Sequence, residues 1–343
     1  MIEKILKRCY CFFYAFSKIN WITLFKNKNK NSEVVLWIPK RGYKYWGGDS
    51  FIWDVATLSS LIKRGEVNIV FGNRIGNVKN KKIFYTLHEN YNLFAFENYV
   101  SVFEHICKQL VRQGNVLFPK ASEVEFWENK IFMHKEFDKY DVNAPLSYYA
   151  KSFEDCNKLD WEYPFLVKEP HSCSANGVHK VNSKDQLVSL IDEDFLMRNE
   201  NFIFQKLINM RRDLRVIVLE DEIIHYYWRI NKDKDWKPTS TGYGSLVDFE
   251  NFPLKWEENI VKTLKDLKLT IGAFDVAWEN DDLDNKPQYL EVSPVFQPNP
   301  KVDEKHLKSY GKYKKGFSLF NSWDKKYVNI IFDIKEKYIN KML

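Results

Sequence analysis

Two rhythms divide this chain, and together they restrict its fold more than any other property. Between Glu33 and Pro119 short apolar runs alternate with helical stretches. The runs are Val34 to Ile38, Val67 to Phe71, Lys82 to Leu87 and Asn115 to Phe118, with helices around Trp53 to Lys63 and Tyr99 to Arg112. That alternation predicts a small, largely parallel sheet with helices on its faces. Beyond Phe202 the runs come instead in pairs joined by polar turns. Leu214 to Leu219 and Ile223 to Ile230 flank Glu220-Asp221-Glu222. After a Thr/Ser/Gly loop (Thr239 to Ser245) and a helix (Trp256 to Leu267), Ala273 to Trp278 and Gln288 to Val292 flank Asp281 to Lys286. Such pairs predict antiparallel hairpins. Between the two rhythms lie a helix over about Ser122 to Tyr140, a strand at Phe165 to Lys168 and a helix from the N-cap Ser183 to Leu190, which read as a smaller α/β unit. The fold class is therefore mixed α/β (α+β), in the divisions 1–31, 32–127, 128–200, 201–300 and 301–343.

Charge narrows the function classes. The chain of 343 residues carries a net charge of +6, and residues 1–31 hold all of it, seven Lys or Arg against Glu3. Nucleic-acid binding needs a concentrated basic face on a folded domain, so nucleic acid is excluded as the main partner. Five cysteines without a CxxC pair argue against a disulfide frame or structural zinc and for a reducing, cytoplasmic setting. Lys4 to Phe25 mixes basic and apolar residues. Its longest apolar run, Cys9 to Phe16, is far short of the ~20 residues of a membrane span. Packing on the protein and peripheral contact with the inner face of a membrane are the two uses left open for it.

Three constellations carry chemistry. If the last two strands pair symmetrically about Leu283, Asp275 and Glu291 face each other, with Ser293 on the same face as Glu291. Opposed carboxylates in apolar strands repel unless a cation sits between them, and Mg²⁺ bridging nucleotide phosphates is the natural one. A different register would leave each acid at a solvated edge. The acids of Asp281 to Asp284 read as a solvated loop. Lys168 ends an apolar strand just before the small polar turn His171 to Gly177, a workable phosphate cradle. Asp213 and Arg215 share one strand face, and Arg229 ends the paired strand, so the arginines can grip a phosphate or carboxylate. Arg211 and Arg212 read as a solvated turn.

In this order the segments resemble the ATP-grasp superfamily, particularly its carboxylate-amine ligases. Asn129-Lys130 looks like the family's first nucleotide lysine, and Phe165 to Gly177 like its second lysine, Lys168, with the phosphate lid. Phe204 to Ile208 resembles the hinge that binds adenine, with Gln205, Lys206 and Ile208 at the nucleotide and Asp213 near the ribose. The Asp213 to Val218 run with Arg215, Arg229, and the Gly242-Tyr243-Gly244 loop fit the pattern, and Asp275 with Glu291-Val292-Ser293 resembles the metal ligands. Two features depart from it: Ser293 stands where the family usually has Asn, and the lid has fewer glycines than usual.

The resemblance implies a parallel α/β domain, a small α/β lid domain and a mainly antiparallel domain. It implies ATP and Mg²⁺ as cofactors and a ligase that activates a carboxylate as an acyl phosphate, near Arg229 and Arg215, for capture by an amine or ammonia. The acceptor is expected to be a small-molecule or saccharide carboxylate, and the basic, apolar ends of the chain, with the amphipathic Tyr327 to Tyr338 stretch, suggest a cell-surface saccharide precursor at the membrane. An ATP-grasp kinase or a non-catalytic ATP-binding protein is the alternative.

Overall fold

The computed structural model describes every residue except 1, 30, 40–44, 88–98, 160, 173, 174, 176, 234, 318 and 320–322. Cys173, Ser174 and Asn176 of the 171–177 turn thus lie outside the described residues. The chain forms two compact units, Met1–Glu125 with Val295–Leu343, and Phe126–Pro294.

The first unit opens with α1 (Ile2–Ser17) and α2 (Trp21–Asn27), then runs β1 (Val34–Ile38), α3 (Asp49–Arg64), β2 (Asn68–Phe71), β3 (Lys82–Tyr85), α4 (Tyr99–Arg112), β4 (Val116–Phe118) and α5 (Ala121–Val124). The strands form a wholly parallel sheet in the order β2-β1-β3-β4, as the alternating pattern predicts. Parallel sheets need cover on their faces. Here α3 lies against β1 and β3 and is buried along nearly its whole length.

One expectation fails at the boundary between the units. The single helix expected over Ser122 to Tyr140 is two, α5 and then α6 (Lys130–Lys139). Glu128 takes a left-handed conformation (φ +48°), and the Asn129 side chain accepts from the Phe132 amide, 3.2 Å away. Asn competes with the helical backbone in this way and so starts a new helix rather than continuing the old one.

After α6 the second unit continues with β5 (Ser147–Ala150), β6 (Phe165–Lys168), β7 (Val178–Val181), α7 (Lys184–Leu190), α8 (Glu193–Arg198) and β8 (Phe202–Lys206). It ends with β9 (Arg212–Leu219), β10 (Glu222–Ile230), β11 (Leu246–Asp248), α9 (Glu257–Asp266), β12 (Ile271–Ala277) and β13 (Gln288–Ser293). Two antiparallel sheets result, β5-β8-β6-β7 and β11-β10-β9-β12-β13. Strand β8, read from sequence with the later hairpins, is an inner strand of the smaller sheet.

In the larger sheet alternate residues Leu214, Val216, Val218, Phe274, Val276 and Val292 pack against Met133 and Phe137 of α6 and Ile260 and Leu264 of α9. That leaves the odd-numbered residues of β9 and β12 on the opposite face. The hairpin register follows the symmetric reading for Ala273↔Ser293, Phe274↔Val292 and Asp275↔Glu291, then shifts so that Val276 faces Tyr289. The extra residue is a bulge at Leu290, and it lets Tyr289 and Val292, three apart, both enter the core.

The chain then returns to the first unit through α10 (Glu304–Leu307), α11 (Tyr310–Lys315) and α12 (Trp323–Met342). Helix α12 packs on α3 and α1, burying Tyr327, Val328, Ile331, Ile334 and Tyr338. Helix α1 packs on both partners through Cys11 and Ala15. It is seated on Gly47 (φ +69°), where an added Cβ would lie 2.1 Å from the Arg8 carbonyl oxygen.

Candidate active site

The polar face of the larger sheet is built by register. Strand β9 lies between β10 and β12, so Arg215 has Tyr227 on one side and Asp275 on the other, with Glu291 next in the same row. Arg229 stands opposite Asp213. These pairings become ion pairs. Arg215 donates from Nε and Nη2 to the two oxygens of Asp275, both at 2.7 Å. Arg229 makes a two-point contact with Asp213, 2.8 Å through Nε, and reaches Asp275 at 2.8 Å. Thr239 completes the network by donating to Asp213 at 2.7 Å.

Burial alone would push the Asp275 carboxyl up, but Arg215 and then Arg229 hold it well below the ordinary carboxylate range. Asp213, expected near a ribose, is only 1% exposed, and its oxygens are committed to Arg229 and Thr239. Asp213 thus holds the Arg229 guanidinium in place.

Glu291 is half-buried beside this network, and its carboxylate has no ion pair or hydrogen bond among the described residues. Ser293 lies one pair further along, opposite Ala273. Among the described residues no three His, Cys, Asp or Glu side chains gather as a self-sufficient metal site. Two carboxylates and a hydroxyl are nonetheless hard oxygen donors of the kind that hold Mg²⁺ when phosphate oxygens complete the shell. Asp275 fits that role once Arg215 yields at least one of its oxygens.

Facing these groups is the smaller sheet. Phe165 and Val167 enter its core with Phe202 and Phe204, which turns Lys168 and Gln205 to the other face. Lys168 is 8% exposed, and among the described residues its ammonium has no ion pair or hydrogen bond. Burial lowers its pKa to about 8, while Glu291 and then Asp275 pull it back up and Lys130 pushes it down. The lysine therefore senses both carboxylates without pairing with either.

Lys130 opens α6 and donates to the hydroxyl of Ser172 at 2.9 Å and to its carbonyl, so it holds Ser172 after β6. One helical turn on, buried His134 accepts at Nε2 from the Gln205 amide at 3.2 Å, and the same Gln205 nitrogen donates to Ser147 at 2.9 Å. Burial, then Lys168 and Lys130, keep His134 neutral, as an acceptor must be. His134 was not singled out from sequence; its signal is the i, i+4 spacing from Lys130.

After Gln205 the strand ends at exposed Lys206, whose ammonium lies 5.9 Å from the Trp161 ring, and Leu207, buried Ile208, Asn209 and Met210 follow outside any ladder. The acidic turn does more than face solvent. Asp281 accepts from the amides of Arg211 and Arg212 at 3.1–3.2 Å, and Asn280 donates its amide to the Asn209 carbonyl at 2.7 Å. The turn between β12 and β13 thus holds the segment after β8, a correction to its reading as a solvated loop. Arg212 in turn stacks on Trp228, 4.5 Å from the ring centre, so it is not a freely solvated residue either.

Residues 128–282 match the family model of the RimK-like ATP-grasp domain. This chain carries an ATP-grasp domain. The matched segment takes in Lys130, Lys168, the Gln205 to Ile208 run, Asp213, Arg215, Arg229 and Asp275; Glu291 and Ser293 follow just beyond it.

The ATP-grasp fold extends over most of the chain in solved structures. A D-alanine–D-alanine ligase from Bacillus anthracis complexed with ATP is 12% identical, with a TM-score of 0.55 over 90% of this chain and 98% of that one. The ATP-grasp ligase PsnB, complexed with a minimal precursor, Mg and ADP, is 11% identical, with a TM-score of 0.53 over 91% and 99%. A RimK domain ATP-grasp protein from Sphaerobacter thermophilus is 12% identical, with a TM-score of 0.54 over 88% and 98%. No curated protein matches the chain in sequence.

Proposed function

We propose that this protein is an ATP- and Mg²⁺-dependent ligase that activates a carboxylate as an acyl phosphate and joins it to an amine or ammonia. The observation that carries the reading is the buried Lys168 ammonium, which faces Glu291 and Asp275 yet pairs with neither. An unpaired buried cation opposite an unpaired carboxylate is costly unless something brings both charges their counterparts. A phosphate chain with its metal does so, giving anionic oxygens to Lys168 and a cation to Glu291 and Asp275.

In this account Lys168 holds phosphate oxygens and Lys130 holds Ser172 beside them. Adenine lies at the Lys206 to Ile208 segment, where the chain leaves its ladder after Lys206. Mg²⁺ on Asp275, Glu291 and Ser293 supplies charge neutralisation as the phosphoryl group transfers. Arg229, held by Asp213, to which Thr239 donates in turn, and Arg215, the more exposed of the two, orient the acceptor carboxylate for in-line attack. One carboxylate oxygen bonds to the γ-phosphorus as ADP leaves. The amine nitrogen then bonds to the acyl carbon, phosphate leaves with that oxygen, and the nitrogen loses a proton. No covalent bond to the protein is needed.

The test is ADP release by the purified protein with ATP, Mg²⁺ and a panel of carboxylates, amino acids and uronic acids among them, each with and without ammonia or simple amines. Release that requires both a carboxylate and an amine is the expected result. A stable phosphorylated product formed without an amine would instead make the protein a kinase, and binding of ATP without release under any pairing would make it a binding protein.

A further inference from the structure

The outward side of α1 and α2 serves no part of the site described above. The inward side of α1 is fully used. Cys11 and Ala15 are buried against α3 and α12, Lys7 pairs with Asp324 at 3.1 Å, and the Tyr14 hydroxyl donates to Asn329 at 2.9 Å. Facing away are Ile5, Leu6 and Phe13, the last 70% exposed. Helix α2 adds Ile22 and Phe25, 70% and 77% exposed, while its Leu24 is buried.

Ring contacts join the two helices into one patch. Phe13 meets Phe12, Phe12 meets Phe16 at 4.6 Å and Trp46 at 6.1 Å, and Phe16 stacks on Trp21 at 5.5 Å. Both tryptophans are themselves exposed. A contiguous patch of large apolar and aromatic side chains on a helix pair marks an interaction surface.

Charge identifies what it meets. All of the chain's net charge of +6 lies in residues 1–31. Lys4, Lys26 and Lys28 are exposed beside the patch, with no carboxylate partner among the described residues. Helices that are apolar outward, rimmed by lysine and carrying tryptophan at the margin fit the boundary of an anionic lipid layer. There the apolar side chains enter the acyl region and the lysines stay among the headgroups. Among the described residues no helix is long and apolar enough to cross a membrane, so contact of this kind is in the plane of the surface.

We infer that α1 and α2 form a docking face for an anionic membrane surface, one that operates independently of nucleotide. Removing the segment would not test this, because the inner side of α1 belongs to the core. The experiment is co-sedimentation of the full chain, without ATP, with vesicles of phosphatidylglycerol and phosphatidylcholine and with vesicles of phosphatidylcholine alone, at low and high salt. A Phe13→Glu/Phe25→Glu double variant runs alongside, with thermal melts and solution mass as controls.

The expected result is binding to the anionic vesicles that weakens with salt, with little binding to the neutral ones. The double variant loses it by about tenfold or more with an unchanged melt. Four outcomes overturn the inference: no binding by the parent chain, equal binding to neutral vesicles, binding unaffected by the double substitution, or a parent dimer that fails to bind vesicles and that the substitutions dissociate. The last would assign the face to a second copy of the chain. Vesicle binding is read without nucleotide, so its failure leaves the ligase reading untouched.

Discussion

At the scale of single residues, Asp275 and Glu291 share a row but not a role in stability. Asp275 is wedged between two guanidinium groups and Glu291 is unpaired. Glu291→Gln is expected to abolish turnover while leaving unfolding free energy within about 0.5 kcal/mol of the parent. Asp275→Asn strands Arg215 next to a neutral amide and leaves Arg229 with Asp213 as its remaining carboxylate, so turnover is lost and stability falls by roughly 3–5 kcal/mol, as for other broken buried pairs. Denaturant melts of the two variants side by side check this difference.

Lys168 gives a pH signature. Its pKa is about 8 in the protein against 10.5 for a free lysine, so between those values the unfolded chain holds more protons. Stability without nucleotide therefore rises with pH through that window, and the burial penalty is fully present below pH 8. Lys168→Met should raise stability at pH 7, by at most about 3 kcal/mol, and remove nucleotide binding. Phosphate contact restores the ammonium, so ATP binding at pH 8 should take up about half a proton and at pH 6.5 almost none. Calorimetry in buffers of different ionisation enthalpy measures the uptake; none at pH 8 would separate Lys168 from the phosphates.

At the scale of elements, the hairpin is where reading from sequence went furthest and where it stopped. The symmetric pairing about Leu283 put Asp275 opposite Glu291 because alternation and turn position are local properties. The bulge at Leu290 was not legible, since it depends on Tyr289 and Val292 both fitting a core built by other strands. Arg215 against Asp275 was not legible either. It requires β9 to lie beside β12, a neighbour 60 residues away, and nothing local announces that. The acids after Trp278 look like solvent-facing filler in isolation, and only the folded chain brings Asp281 to the amides of Arg211 and Arg212.

That contact has a consequence for nucleotide binding. Asp281→Ala frees the segment after β8 at a cost of about 1 kcal/mol, and the KM for ATP should rise about fivefold with a smaller change in kcat. Steady-state kinetics decides it, and an unchanged KM would detach the turn from the adenine segment.

At the scale of the whole molecule, each unit is built on its own sheet system, and the residues assigned to nucleotide and metal all lie in Phe126–Pro294. The parallel sheet of the first unit was legible because four short apolar runs separated by long crossovers permit little else. The two four-residue strands β5 and β7 were not, because Ser147–Ala150 and Val178–Val181 are too short and too mixed to carry a pattern. The first unit depends on α1 sitting on Gly47. Gly47→Ala should lower its stability by roughly 1–3 kcal/mol through backbone strain and the clash with Arg8, read as a lower melting temperature.

The central claim, that a carboxylate is activated as an acyl phosphate, is tested most directly by oxygen transfer. With an acceptor found by ADP release and labelled with ¹⁸O in its carboxylate, the account predicts that the released inorganic phosphate carries one ¹⁸O. Turnover to the same product with unlabelled phosphate would contradict it.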